Sequence, residues 1–119
     1  MNKEYELPND KPMTVGEPPM ASTYTKRMIP IIREYLRDTP IVKAWLFGSC
    51  SRGDDNKDSD VDIIVQYDKN ANVSLFTIGG IYMDLKSLLK REVDLVEDGT
   101  LMPFANETAN RDKVLIYER

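Results

Sequence analysis

Two short runs of β-branched and aromatic residues, Ile41–Phe47 and Val61–Tyr67, stand on either side of a segment that belongs to neither. Residues 48–60 hold two glycines, three serines and four aspartates, too polar and too flexible to continue a strand. Runs of that length and composition read as strands, and the segment between them reads as a loop or a broken helix. A third run, Glu92–Glu97, is closed by Asp98-Gly99 and reads the same way. Between and around these runs the apolar spacing changes to the helical period. Met28, Ile29, Ile32, Tyr35 and Leu36 predict a helix from Ser22 or Thr25 to about Arg37. Pro30 falls inside it, either in a tolerant first turn or at a kink, and Thr39-Pro40 marks the exit. After a turn and possible cap at residues 70–74, Ile81, Tyr82, Leu85, Leu88 and Leu89 predict a second helix facing inward. Lys86, Lys90 and Arg91 then lie outside, and Gly79-Gly80 weakens the beginning. A last helix is expected from Asn106 or Thr108, with Val114, Leu115 and Tyr117 on its apolar side. The order α-β-loop-β-α-β-α predicts an α/β (α+β) domain over residues 22–119. Its expected form is three layers around a mixed, three- to four-stranded sheet flanked by helices. Residues 1–21 carry four of the seven prolines without periodicity and read as a flexible arm, or as an extended segment lying on a partner.

Composition narrows the chemistry. Among 119 residues there is no histidine, which removes Ser-His-Asp and Cys-His triads and His-ligated zinc. Sixteen basic residues against 20 acidic ones leave a net charge of −4, the wrong sign for a domain that coats nucleic acid. Cys50 has no second cysteine to pair with, which fits a reducing compartment, and it reads as a small packing residue. No stretch approaches the length of a membrane span and no signal peptide is visible, so the cytoplasm is expected and no membrane contact.

Three features carry chemistry. Gly48-Ser49 directly follows a strand and continues as Cys50-Ser51-Arg52-Gly53. A glycine there permits a tight turn and close backbone approach, and amides beyond it can face phosphate oxygens. On its own this is also how a plain strand-ending turn looks. Asp60 and Asp62 flank Val61 at the start of the second strand, so both project from one face, about 6.5 Å apart at Cα. Two carboxylates together on a largely buried strand are costly without a cation, although a solvated strand edge would also accept them. Asp94 sits within Val93-Asp94-Leu95-Val96, on the face opposite its neighbours. It is either the wet side of an edge strand or a third carboxylate for the same site.

Other motifs fail on particular residues. Gly48 and Gly53 have P-loop spacing, but Asp54-Asp55 stand where Lys and Ser/Thr are required. An EF-hand frame from Asp54 meets Ser59 at the glycine position and Val65 at the bidentate glutamate. The Rossmann glycine pattern is absent.

A strand, Gly-Ser, ten intervening residues and Asp-hydrophobic-Asp on a second strand is similar to the DNA polymerase beta-like nucleotidyltransferase superfamily. More closely, Phe47–Gly53, Asp58–Val65 and Val93–Val96 resemble the minimal nucleotidyltransferases of MNT type, often encoded beside an all-helical HEPN protein as toxin–antitoxin pairs. The resemblance covers about residues 26–118. Cys50-Ser51 departs from the small residues common there, and the proline-rich arm is extra. The resemblance implies two Mg²⁺ ions (Mn²⁺ as a substitute) held by Asp60, Asp62 and Asp94, the last as ligand or base. It implies ATP or another NTP gripped by Gly48 and Ser49 with help from Ser51 or Arg52, although Arg52 is equally suited to neutralising the surrounding aspartates. The implied activity moves AMP to a hydroxyl on a HEPN-family helical partner. The alternatives are an antitoxin that acts by binding alone, or an enzyme acting on a small molecule such as an antibiotic. An acceptor-binding surface is then expected on another protein or on a second copy in a homo-oligomer.

Overall fold

In a computed structural model of the chain, residues 15–99 and 112–119 are described. Helix α1 (Thr23–Leu36) leads into strand β1 (Ile41–Phe47) and a single helical turn, α2 (Ser49–Arg52). Strand β2 (Val61–Tyr67), helix α3 (Leu75–Leu89), strand β3 (Val93–Glu97) and strand β4 (Val114–Glu118) follow. The strands form one mixed sheet in the order β3-β2-β1-β4, with β1 antiparallel to both β2 and β4 and β2 parallel to β3.

Local chemistry explains the helix boundaries. Ser22 caps α1 by accepting from the Thr25 N–H, and Ser74 forms a reciprocal capping box with Thr77 at the start of α3. Helix α3 therefore begins four residues before Gly79-Gly80, which lie inside it. Pro30 sits in the middle of α1 on its exposed side. The carbonyl left without a partner by the missing Pro30 N–H belongs to Lys26, an exposed residue, where water can satisfy it. At the other end of α3, Lys90 takes a left-handed conformation as the cap and donates its N–H to the Lys86 carbonyl.

The sheet's two faces differ sharply. Ala44 and Leu46 of β1, Val61, Ile63 and Val65 of β2, and Ile116 of β4 point toward Ile29 and Ile32 of α1 and Leu85 of α3, forming the main core. The alternate residues Trp45, Ile64 and Leu115 form a small cluster on the other face with Phe47. Both long helices thus cover one face, and among the described residues the domain has two layers, not the three expected.

Two further expectations change. Val114, Leu115 and Tyr117 lie on β4, paired with β1, and not on a helix. A five-residue run is too short to show a 3.6 period, and its β-branched and aromatic residues suit the otherwise open edge of β1. The expected helix start at Asn106 or Thr108 lies outside the described residues. On α3, Leu88 is largely exposed where an inward position was expected. Arg91, expected outside, turns back so that its Nε donates to the Ser59 carbonyl at 2.8 Å. Of the N-terminal arm, residues 15–21 lie along the domain. Gly16 donates its N–H to the Leu115 carbonyl and accepts from Arg33 Nη2, both at 3.0 Å.

Candidate active site

The open face of the sheet carries the acidic residues singled out above. Asp62 and Asp94 are direct partners in the parallel β2–β3 register, and Phe47 stands opposite Asp62 across the β1–β2 pairing. The pleat therefore puts Asp62 between the end of β1 and Asp94, on the face away from the helices. Asp62 is half-buried, whereas Asp60 and Asp94 are exposed. Burial, then the charges of Asp94 and Asp60 and a hydrogen bond with the Asp94 side chain, push the Asp62 pKa up to about 6; the Arg52 charge opposes this.

The turn after β1 is fitted to that carboxylate. Gly48 has φ +72°, and a Cβ placed on it would lie 2.5 Å from Asp62 Oδ2. A side chain here meets both a strained backbone and the site's central acid, so glycine is required. The chain then enters α2, where the Ser51 and Arg52 N–H groups both bond back to the Gly48 carbonyl. The amides of Ser49 and Cys50 precede those bonds, at the open end of the turn. Ser51 is buried and its hydroxyl donates to the Gly48 carbonyl at 2.9 Å, which stiffens the turn from inside. Gly53, at φ +85°, closes the turn against the Met20 carbonyl, which leaves no room for a Cβ. Arg52 lies outside, its Nε 3.4 Å from Asp54 and its Nη1 3.3 Å from Asp112. Cys50 is fully buried, and its thiol faces the Asp60 carbonyl at 3.8 Å. Burial raises its pKa, which suits packing and not reactivity.

Two supporting residues carry no signal in the sequence. Asp55 is buried, and its Oδ2 accepts from the hydroxyls of Ser22 (2.8 Å) and Thr25 (3.1 Å), tying the loop to the N-terminus of α1. Its negative charge there also complements the helix dipole. In the sequence it is one acid among several in a polar loop; only its neighbours in space distinguish it. Arg91 clamps the Ser59 carbonyl, and the Val61 N–H bonds the Glu92 carbonyl at 2.9 Å, so the approach to Asp60 is held against the start of β3. A cation just past a helix end looks solvated in a sequence, which is why Arg91 reads as an outside residue.

Gly48, Ser49, Asp60, Asp62 and Asp94 thus gather at one end of the open face, while Ser51 turns inward and Arg52 engages acidic neighbours. Among the described residues no group of three or more acidic or cysteine side chains is arranged so that it could hold a metal ion by itself. No described helix is long and apolar enough to cross a membrane.

Comparison with known proteins finds relatives in sequence and in fold. The chain is 32% identical over 87 residues to a Methanocaldococcus jannaschii protein named "putative protein adenylyltransferase", covering 71% of this chain and 85% of that one. A solved "putative minimal nucleotidyltransferase" superposes with a TM-score of 0.62 at 25% identity, over 75% of this chain and 89% of the other. The same fold occurs in a toxin–antitoxin crystal structure with AMP-PNP (TM-score 0.64, 24% identity, 76% and 73% covered). It occurs again in the complex of a tri-AMPylated Shewanella oneidensis HEPN toxin with its MNT antitoxin (TM-score 0.59, 20% identity, 80% and 73% covered). The family model for polymerase beta nucleotidyltransferases matches residues 31–119, three quarters of the chain, and the chain belongs to that family.

Proposed function

We propose that the protein transfers AMP from ATP to a hydroxyl group on a HEPN-type helical protein, as the antitoxin of such a pair. The observation that carries this reading is the juxtaposition of Asp62 with Asp94 on adjacent parallel strands, with the Gly48 turn closed down on the same carboxylate. A nucleoside triphosphate needs a donor-lined turn and an acidic, cation-binding platform side by side, and this end of the sheet offers both. The family membership, the name of the archaeal relative and the AMPylated toxin bound to a neighbour of the same fold support it.

The donor set suits a hard divalent cation. Asp60, Asp62 and Asp94 supply only oxygen, and burial, then the charges of Asp94 and Asp60, make ionised Asp62 costly in a way that a cation would relieve. Mg²⁺ held by these three would neutralise the triphosphate and acidify the attacking hydroxyl. The residues of the chain do the rest. The amide and hydroxyl of Ser49, presented by the Gly48 turn, hold the terminal phosphates. Arg52 moderates the acidity of the loop. A carboxylate oxygen of Asp94 takes the proton as the acceptor oxygen attacks the α-phosphorus; the bond to the bridging oxygen breaks and pyrophosphate leaves. Rigid placement of Asp60 and Asp62 by Arg91 and the Gly48 turn keeps the reactants in line.

The test combines α-labelled ATP, Mg²⁺ and a purified HEPN-type helical protein. Label should pass to the partner with the wild type and not with Asp60→Asn/Asp62→Asn. A partner left unlabelled with every divalent metal, yet still neutralised by the double variant, would replace this reading with an antitoxin that works by binding alone.

A further inference from the structure

We propose that the outer edge of β3 is where the acceptor protein docks: an extended segment of that protein joins the sheet beyond β3 and carries its hydroxyl side chain beside Asp94. The docking presupposes the transfer reaction and gives its acceptor a place on the sheet. The sheet has two outer strands, β3 and β4. The chain covers the edge of one and leaves the other bare. On β4 the Leu115 carbonyl accepts from the Gly16 N–H at 3.0 Å, and the Ile116 carbonyl from Arg33 Nε at 2.6 Å. On β3 the Val61 N–H reaches the Glu92 carbonyl and the Asp98 N–H reaches the Val65 carbonyl, with an unbroken parallel register between them. That ladder turns the backbone groups of Asp94 and Val96 toward β2, and those of Val93 and Leu95 outward. Among the described residues no backbone group meets the outward N–H and C=O of Val93 and Leu95. Proteins close such edges with lysine, proline or a bulge, and Val93–Glu97 has none of the three.

The place of the carboxylates within the sheet says what belongs at this edge. Phe47, Asp62 and Asp94 stand side by side across β1, β2 and β3, with the Gly48 turn at the β1 end of the row. Asp94 is the last member of that row and is exposed. A strand added outside β3 sets its next residue directly beside Asp94, on the same open face. Because the Asp94 backbone faces β2, an antiparallel newcomer meets it in a non-hydrogen-bonded pair, the closer kind. The Cβ atoms of such a pair lie about 4.5–5.5 Å from each other. The row then reads phosphate turn, paired carboxylates, acceptor side chain, which is the order that an in-line transfer needs. In a helical protein the docking segment is a loop or a terminus, where backbone groups are not already bonded within a helix. A second copy of this chain suits the edge poorly. Val93–Asp98 holds three acids and no base, so pairing it with itself sets like charges together. A segment that is basic around its hydroxyl complements it.

Amide hydrogen exchange of the full chain, mixed with the same purified HEPN-type protein, reads the edge directly. The Leu95 amide should slow by about 10-fold or more in the complex, while those of Asp94 and Val96, already bonded to β2, should keep their rates. Leu95→Pro removes the outward N–H and spares the ladder to β2, since proline is tolerated on the outer side of an edge strand. It should raise KM for the partner by about 10-fold and leave the dissociation constant for ATP unchanged. Leu95→Ala gives up packing but keeps the donor, and should stay near the wild-type KM. If the proline variant fails to fold, exchange in the wild type decides alone. Label transfer by a wild type whose Leu95 amide exchanges as in the free chain would overturn the docking and leave the activity standing. Equal KM values for the alanine and proline variants would do the same. A protected Leu95 amide with no transfer under any divalent metal would overturn the activity and leave the docking standing.

Discussion

The two faces of the sheet are made from alternate residues of the same strands, yet they obey different rules. Toward the helices, Val61, Ile63 and Val65 of β2 are fully buried among aliphatic side chains. Toward the open side, the intervening positions hold Asp62, with a pKa raised to about 6, and Ile64 in a small cluster. One face stabilises the fold through close packing. The other gives up stability by placing like charges together. The difference teaches that strand alternation lets a small domain keep an electrostatically strained site within one residue of its core.

The sharpest way to separate the faces is to change one side chain on each. Asp62→Asn should reduce nucleotidyl transfer by about 1,000-fold, measured with labelled ATP, while leaving the far-ultraviolet dichroism intact. On the helical side, Leu85→Ala should lower unfolding stability by about 3 kcal/mol in urea titration, since the leucine is fully buried between helix and sheet. If Leu85→Ala cost little, or Asp62→Asn unfolded the protein, the division of labour between the faces would fail. Gly48→Ala probes the seam. Its positive φ and the 2.5 Å approach to Asp62 predict about 1–2 kcal/mol of destabilisation together with loss of transfer.

The smallest effect concerns protons. The Asp62 pKa is raised from 3.8 to about 6 on folding, so the protonated carboxyl is the form the fold favours. Its contribution is fully present below pH 3.8 and is lost as pH rises through about 6. After allowing for screening at a half-exposed site, the strain above that range is on the order of 1 kcal/mol. Asp62→Asn should therefore melt a few degrees higher than the wild type at pH 7.5 and not at pH 3.5. Added Mg²⁺ should narrow the gap by stabilising the wild type alone.

Much of the candidate site is legible in the sequence. Gly48-Ser49 after a strand and Asp60-Val61-Asp62 at the start of another carry their geometry in their spacing, because side chains on a strand alternate and a glycine permits a turn. Asp94 is readable for the same reason, although its pairing with Asp62 depends on the parallel register of β2 and β3. The features that are not legible depend on partners distant in sequence. Residues 114–117 form a strand because β1 offers a free edge, Arg91 folds back because the Ser59 carbonyl needs a donor, and Asp55 lies under α1 because Ser22 and Thr25 receive it. None of these leaves a local pattern.

Trp45 has a consequence for experiment. It is the sole tryptophan of the chain, buried on the open face beside Ile64, with the Lys113 ammonium 4.5 Å from its ring centre. An indole held next to a fixed cation reports nearby changes of charge through the colour of its emission. The molecule thus carries its one tryptophan on the carboxylate side of the sheet. A shift in Trp45 emission on adding Mg²⁺ or ATP is the expected sign of the binding proposed at Asp62, read without a label and in real time.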